Sequence, residues 1–266
     1  MSAASNTLGR SPAWVVRPGA LRRFAAVFVA GGLAGMIAGG IGSRVAMRIA
    51  AFAAPDQVQG FPTAAGATIG EITLEGTTFL LLFAGFSSAL IGTAFYLVVR
   101  SWLPRRRWIR ALAFGGLELV VFGTQVLDAG NADFTILGRS ALNVAVFCFL
   151  FILHGVLLVV LVEPSGRLVA AVAGESRWRR VVVDVGAVGA ALLTAAAIVS
   201  LGLLFGWLSP VMVALIVSAV GLAVLDPDRA RPLVRPMLRL VGGVALALIA
   251  FGGTVQLLDE VTTILG

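Results

Sequence analysis

Apolar residues run through this chain in blocks of about 20, separated by short polar stretches that hold most of the arginines and carboxylates. A helix rises about 1.5 Å per residue, so a block of that length crosses the roughly 30 Å hydrocarbon core of a bilayer. Seven blocks can be placed: Phe24 to Met47, Thr78 to Val99, Ala111 to Leu127, Ser140 to Val162, Val181 to Trp207, Pro210 to Leu225 and Leu240 to Leu258. The pattern predicts an all-α fold: a polytopic transmembrane helix bundle over residues 24–266, behind a basic cytoplasmic tail of residues 1–23. Pro210 to Leu225, about 24 Å long as a helix, is short enough to form a thin hairpin with its neighbour.

The connections between blocks set the orientation. Arg10, Arg17, Arg22 and Arg23 precede the first block, and Arg100, Arg105, Arg106, Arg107 and Arg110 follow the second. Arg167, Arg177, Arg179 and Arg180 follow the fourth, and Arg229, Arg231, Arg235 and Arg239 precede the seventh. The alternate connections carry Asp56, Glu71, Glu75, Asp128 and Asp133 with the single Arg139, and the chain ends near Asp259 and Glu260. Seventeen arginines on one side against one on the other obey the positive-inside rule. The N-terminus is therefore expected inside and the C-terminus outside. Phe24 opens a block too long for a cleaved signal core, and it reads as an uncleaved anchor; Ala51-Phe52-Ala53 is the alternative cleavage site.

Composition removes several chemistries. Of 266 residues 59% are hydrophobic, and all 20 basic residues are arginine. Without lysine there is no Schiff base to retinal or pyridoxal phosphate and no phosphate-binding lysine loop. One cysteine, Cys148, and one histidine, His154, leave no pair for a disulfide, a CxxC centre or a bis-histidine haem. The sequence points to no metal and no cofactor. The pI of 11.4 reflects arginines placed for membrane orientation and does not call for nucleic acid. Lysine-free, Ala/Gly/Arg/Val-rich usage suggests a high-GC bacterium, and hence its cytoplasmic membrane.

The third and seventh blocks echo one another. Arg110 and Arg239 each precede a Phe-Gly pair by 12 residues, at Phe122-Gly123 and Phe251-Gly252. Gln125 with Asp128 matches Gln256 with Asp259, and Thr135 to Gly138 matches Thr263 to Gly266. Either a parallel duplication or shared apolar composition accounts for this.

Two constellations bear on chemistry. Glu118 lies about 12 Å in from the arginine side and His154 about 13 Å, on blocks joined by a short outer connection. They are expected to form an intramembrane polar pair. Ionisable groups at that depth are costly and face a bundle interior or water. The pair reads either as a proton or cation site or as a hydrogen bond locking two helices.

The other constellation lies at the outer rim. Gly31, Gly35, Gly39 and Ser43 recur every four residues, a stripe for close helix packing. Arg44 and Arg48 follow one turn apart, on the side where arginine is otherwise scarce. At 1.5 Å per residue Arg44 lies about 33 Å beyond Arg22, level with Asp128 and Asp259. A charge cluster of Arg44, Arg48, Asp128 and Asp259, with Glu71 or Glu75 as further partners, is expected. It would serve as a salt-bridge collar, as an anion or headgroup site suited to arginine's forked donors, or as arginines snorkelling to lipid phosphates. The segment from Ala65 to Thr77 alternates like a short hairpin or re-entrant flap. Asp128, Asn131 and Asp133 lack the full spacing of a calcium loop.

Gly42-Ser43-Arg44-Val45-Ala46-Met47-Arg48, followed by Gly70-Glu71-Ile72-Thr73 and Gly76-Thr77, resembles uncharacterised multi-pass membrane proteins of high-GC bacteria. The resemblance covers about a quarter of the chain and implies no known activity. Ser43 and His154 differ in depth by about 18 Å, too far for a catalytic dyad, so no enzyme is expected. A small-solute, ion or proton transporter is the leading functional expectation. The alternative is a non-catalytic scaffold or subunit of a larger membrane complex that binds anionic lipid. The expected partners are the bilayer and a second copy or another membrane protein.

Overall fold

The structure is a computed structural model that describes residues 18–63, 68–71, 73–131, 133–174, 176–205, 210–224 and 233–266. Most of the basic tail, Ala65, Gly66, Ala67 and Ile72 of the Ala65 to Thr77 flap, and the loop carrying Arg229 and Arg231 lie outside these residues. The described elements are helical, apart from one isolated antiparallel bridge between Pro62 and Thr68.

Helix α1 runs from Pro18–Ala34 through a π-helical stretch, Gly35–Gly42, into Ser43–Ala53. Pro18 suits a first helical position because its missing N–H would have no partner there. Pro55 ends the helix by driving Ala54 into extended backbone, at φ −68 and ψ 147. Helix α2 comprises Leu74–Phe79, a second π-helical stretch Leu80–Gly85, and Phe86–Val99. Thr73 caps it, its hydroxyl accepting the Gly76 N–H at 3.1 Å.

Helix α3 is Arg107–Phe122, and a single turn, Asp133–Ile136, separates it from α4, Ser140–Ala173. Helix α5 is Arg177–Phe205, α6 Pro210–Val224 and α7 Val234–Leu265. Each predicted block therefore falls on a helix, but most boundaries move: α1 and α7 run beyond both ends of their blocks, and α3 and α4 change at their C-terminal ends. Helix α4 continues eleven residues past Val162, through Pro164, until Gly174 takes a left-handed φ of 50. Helix α3 stops at Phe122 and passes into a 3₁₀ turn, Gly123–Gln125.

Four helices among the described residues are long and apolar enough to cross a membrane: Leu21–Ala53, Leu74–Val99, Ser140–Ala173 and Val234–Leu265. Only 28% of the most apolar window of α4 and 17% of that of α7 are buried within the chain. Phe149, Leu168 and Val172 of α4 and Leu240, Val244, Leu248, Phe251 and Val255 of α7 face outward, an apolar surface that a water-soluble bundle could not sustain and that lipid tails would solvate.

Helix α4 lies at the centre, against α1 on one side and α3 on the other. Helix α2 closes on α1, α7 packs on α3, and α6 packs on α7. The glycine stripe supplies the α1–α2 contact. A side chain at Gly31 would strike the Thr93 hydroxyl, and one at Gly35 would come within 2.5 Å of the Gly85 carbonyl oxygen. One at Gly39 would lie 2.8 Å from the Ala84 carbonyl oxygen. The two backbones thus touch along three turns, as small-residue helix pairs do in lipid. Ser43 leaves the stripe and faces a cavity.

The echo between the third and seventh blocks holds in their helical cores and then parts. Helices α3 and α7 pack together, with Gly253 seated against the Val120 carbonyl. Gln125 and Asp128 lie beyond the end of α3, whereas Gln256 and Asp259 stay inside α7. The matched segments therefore take different conformations.

Candidate functional site

Glu118 and His154 meet at the crossing of α3 and α4. Glu118 is 2% exposed and His154 6%. The His154 Nδ1 lies 3.0 Å from Oε1 and 2.9 Å from Oε2 of Glu118, so one ring nitrogen serves both carboxylate oxygens. An ionised carboxylate only accepts hydrogen bonds, so Nδ1 then carries the proton and donates. The other ring nitrogen, Nε2, is buried and has no partner.

Three glycines make room for the pair. A Cβ on Gly155 would lie 2.5 Å from the Gly115 backbone nitrogen and 3.0 Å from Glu118 Oε2. One on Gly115 would lie 2.8 Å from the Ile152 carbonyl oxygen. Gly92 of α2 covers the imidazole, where a Cβ would strike Cε1 and come within 2.9 Å of Glu118 Oε1. Gly115 and Gly155 let the backbones of α3 and α4 close on each other beside the carboxylate, and the ring fills the gap at Gly92.

A cavity of about 370 Å³ runs from this pair towards the opposite end of α1. Helix α1 contributes Ala38, Gly39 and Ser43; α2 contributes Phe83, Ala84, Ser87, Ser88, Ile91 and Gly92. Phe122, Gln125 and Val126 line it from α3 and the turn after it, and Phe147, Leu150 and Phe151 line it from α4. Both π-helical stretches supply wall residues, Ala38 and Gly39 from one and Phe83 and Ala84 from the other. Widened turns of this kind recur at functional sites. Ser43 and His154 share the cavity as lining residues.

The expected outer charge cluster does not assemble. Arg48 donates from Nη1 to the Gly70 carbonyl at 2.9 Å and lies 5.8 Å over the Phe52 ring. The Nη2 of Arg44 is buried without a partner. Asp128 accepts the Gly130 N–H at 2.8 Å, an Asx-type turn within its own loop. Among the described residues neither arginine forms an ion pair with Asp128, Asp259, Glu71 or Glu75. The physical reason lies in α3: the chain stops rising after Phe122, so a depth of 1.5 Å per residue no longer locates Asp128. Instead Glu260, one residue past Asp259, accepts the Ala129 N–H at 2.7 Å and ties α7 to this loop.

The glycine cage was not anticipated from the sequence, although Gly115 stands one turn before Glu118 and Gly155 directly follows His154. Among the described residues no group of three or more His, Cys, Asp or Glu side chains could hold a metal ion. No protein family, curated protein or solved structure matches this chain.

Proposed function

We propose that this chain is a seven-span integral protein of a bacterial cytoplasmic membrane, with its N-terminus inside and C-terminus outside. In this reading it moves a small solute through the α1–α4 cavity, coupled to protonation of Glu118 and His154. The observation that carries the proposal is that His154, whose Nε2 has no partner, lines a cavity of about 370 Å³ together with Glu118. A hydrogen bond that only locked two helices would be complete in Nδ1 and the carboxylate. A buried histidine that keeps one nitrogen unpartnered and lines a cavity of small-molecule size is suited to a ligand or a proton in transit. The arginine distribution supports the orientation, and the outward apolar faces of α4 and α7 support burial in lipid.

The test uses purified protein in vesicles enclosing a pH-sensitive dye, challenged with small amines, carboxylates and neutral polar solutes. Wild-type vesicles are expected to show solute-evoked proton movement beyond that of protein-free vesicles, and Glu118→Gln is expected to abolish it. Wild-type vesicles that match protein-free ones for every solute would overturn the reading.

A further inference from the structure

The chemistry of the cavity also selects what it would carry. We propose that its ligand is a lipophilic organic ammonium ion that retains an N–H, taken up in exchange for a proton; this rests on the transport reading above.

Charge accounting comes first. With Glu118 ionised and His154 neutral, Nδ1–H is held by the carboxylate and Nε2 keeps an unshared lone pair, on a residue that lines the cavity. That state has a net charge of −1 inside a low-dielectric bundle, which is costly without a counter-charge. Two species can supply it. A proton on Nε2 makes the pair neutral and turns Nε2 into a donor. An ammonium ion makes the loaded site neutral and gives its N–H to the Nε2 lone pair. Each displaces the other, one cation for one proton, and the uncompensated state is the costly one. An anion leaves a net negative charge in either case.

Among the described residues no other ionisable group lines the cavity to supply the charge. Helices α1 and α2 present only serines as polar side chains, Ser43, Ser87 and Ser88, and α3 adds Gln125 beside Glu118. Tyr96 of α2 is stacked edge-on against Phe114, and Cys148 of α4 packs in a separate apolar cluster with Leu127 and Leu257. Arg44 follows Ser43 but does not line the cavity, and none of the described residues of α5 or α7 lines it.

The walls then choose among cations. Phe83, Phe122, Phe147 and Phe151 bring four aromatic rings to one cavity. Such rings attract a desolvated ammonium through their faces and bury an apolar substituent. A strongly hydrated metal cation would find few oxygen ligands to replace its water.

The chain has one histidine, so protein labelled with ¹⁵N-histidine and purified without a histidine tag gives a single imidazole. At a pH where its shifts report the protonated pair, dimethylbenzylammonium is titrated in. The expected result is a change in the Nε2 resonance together with release of one proton per ammonium bound. Benzyltrimethylammonium, which has no N–H, is expected to bind at least about tenfold more weakly, the equivalent of one charge-assisted hydrogen bond. Phenylacetate is expected not to bind.

Binding without proton release, equal binding of the quaternary ion, or displacement by phenylacetate or a neutral solute would each overturn the proposal. These measurements use the wild-type chain, so folding of a variant does not enter. If no ammonium binds while another solute still drives proton movement in vesicles, the ligand class falls and the transport reading stands. If no solute does either, both fall.

Discussion

Replacing Gly155 with alanine should push α3 and α4 apart at the Glu118–His154 pair. The new Cβ would lie 2.5 Å from the Gly115 nitrogen, where ordinary contact begins at 3.4 Å. The obstacle is backbone, so relief requires the helices to separate locally by about 1 Å. A gap of that size forfeits a quarter to a half of each contact's roughly 0.1–0.2 kcal/mol. A few tens of affected atom pairs give about 1–3 kcal/mol, the usual range for overpacking. The 3.0 Å approach to Glu118 Oε2 adds a readout that general destabilisation would not: the His154 Nδ1 resonance should shift as the hydrogen bond lengthens. Reversible unfolding in mixed micelles measures the first effect and ¹⁵N-histidine spectra the second. Gly116→Ala is the control, since its Cβ meets nothing within 4 Å, and it should stay within about 0.5 kcal/mol of wild type. A Gly155→Ala chain as stable as Gly116→Ala, with an unchanged imidazole, would refute the geometry.

Trp102→Phe removes an indole N–H that donates to the Arg239 carbonyl at 2.8 Å and trims the ring seated under Gly242. It should cost about 1–2 kcal/mol in the same unfolding assay. Arg107→Gln breaks a 3.6 Å pair with Glu163 whose side chains are 47% and 65% exposed, and a 2.8 Å hydrogen bond to the Val160 carbonyl; it should cost about 1–2 kcal/mol, and no loss would mean that neither contact holds this end of α4. With Cys148 replaced by serine, a cysteine at Asp128 should react with an impermeant maleimide in intact spheroplasts. A cysteine at Ser176 should react only after permeabilisation, and the reverse pattern would overturn the orientation.

Helix positions were legible because most apolar blocks are long and all but one of the connections between them, that at Leu208-Ser209, are marked by charge. The Glu118–His154 contact was legible for a related reason. Both residues lie in regular helix, where 1.5 Å per residue converts sequence number into depth, and a short connection forces their helices to be neighbours. The same ruler failed at Asp128, because it was carried past Phe122, where α3 ends. The cage of Gly92, Gly115 and Gly155 was not legible, because glycine is frequent throughout the chain, with 32 copies. Only the packed backbone distinguishes a glycine under a ring from Gly116 or Gly252, which face open space.

The early end of α3 shapes the cavity. Had the helix continued as its counterpart α7 does, Gln125 and Val126 would stay on a regular cylinder beside α4. Instead the chain tightens into a 3₁₀ turn at Gly123–Gln125, and Leu127, fully buried, packs with Phe134, Val144 and Leu257 to anchor the loop. That leaves Phe122, Gln125 and Val126 facing the space between α2 and α4. On the other side the π-helical stretches of α1 and α2 rotate Ala38, Gly39, Phe83 and Ala84 onto the same space. Three departures from regular α-helix therefore converge on one cavity, and the single histidine, with its unpartnered nitrogen, is among the lining residues. The two π-helical stretches also form the α1–α2 backbone contact at Gly35 and Gly85, so the same residues close the helix pair and border the space beside it.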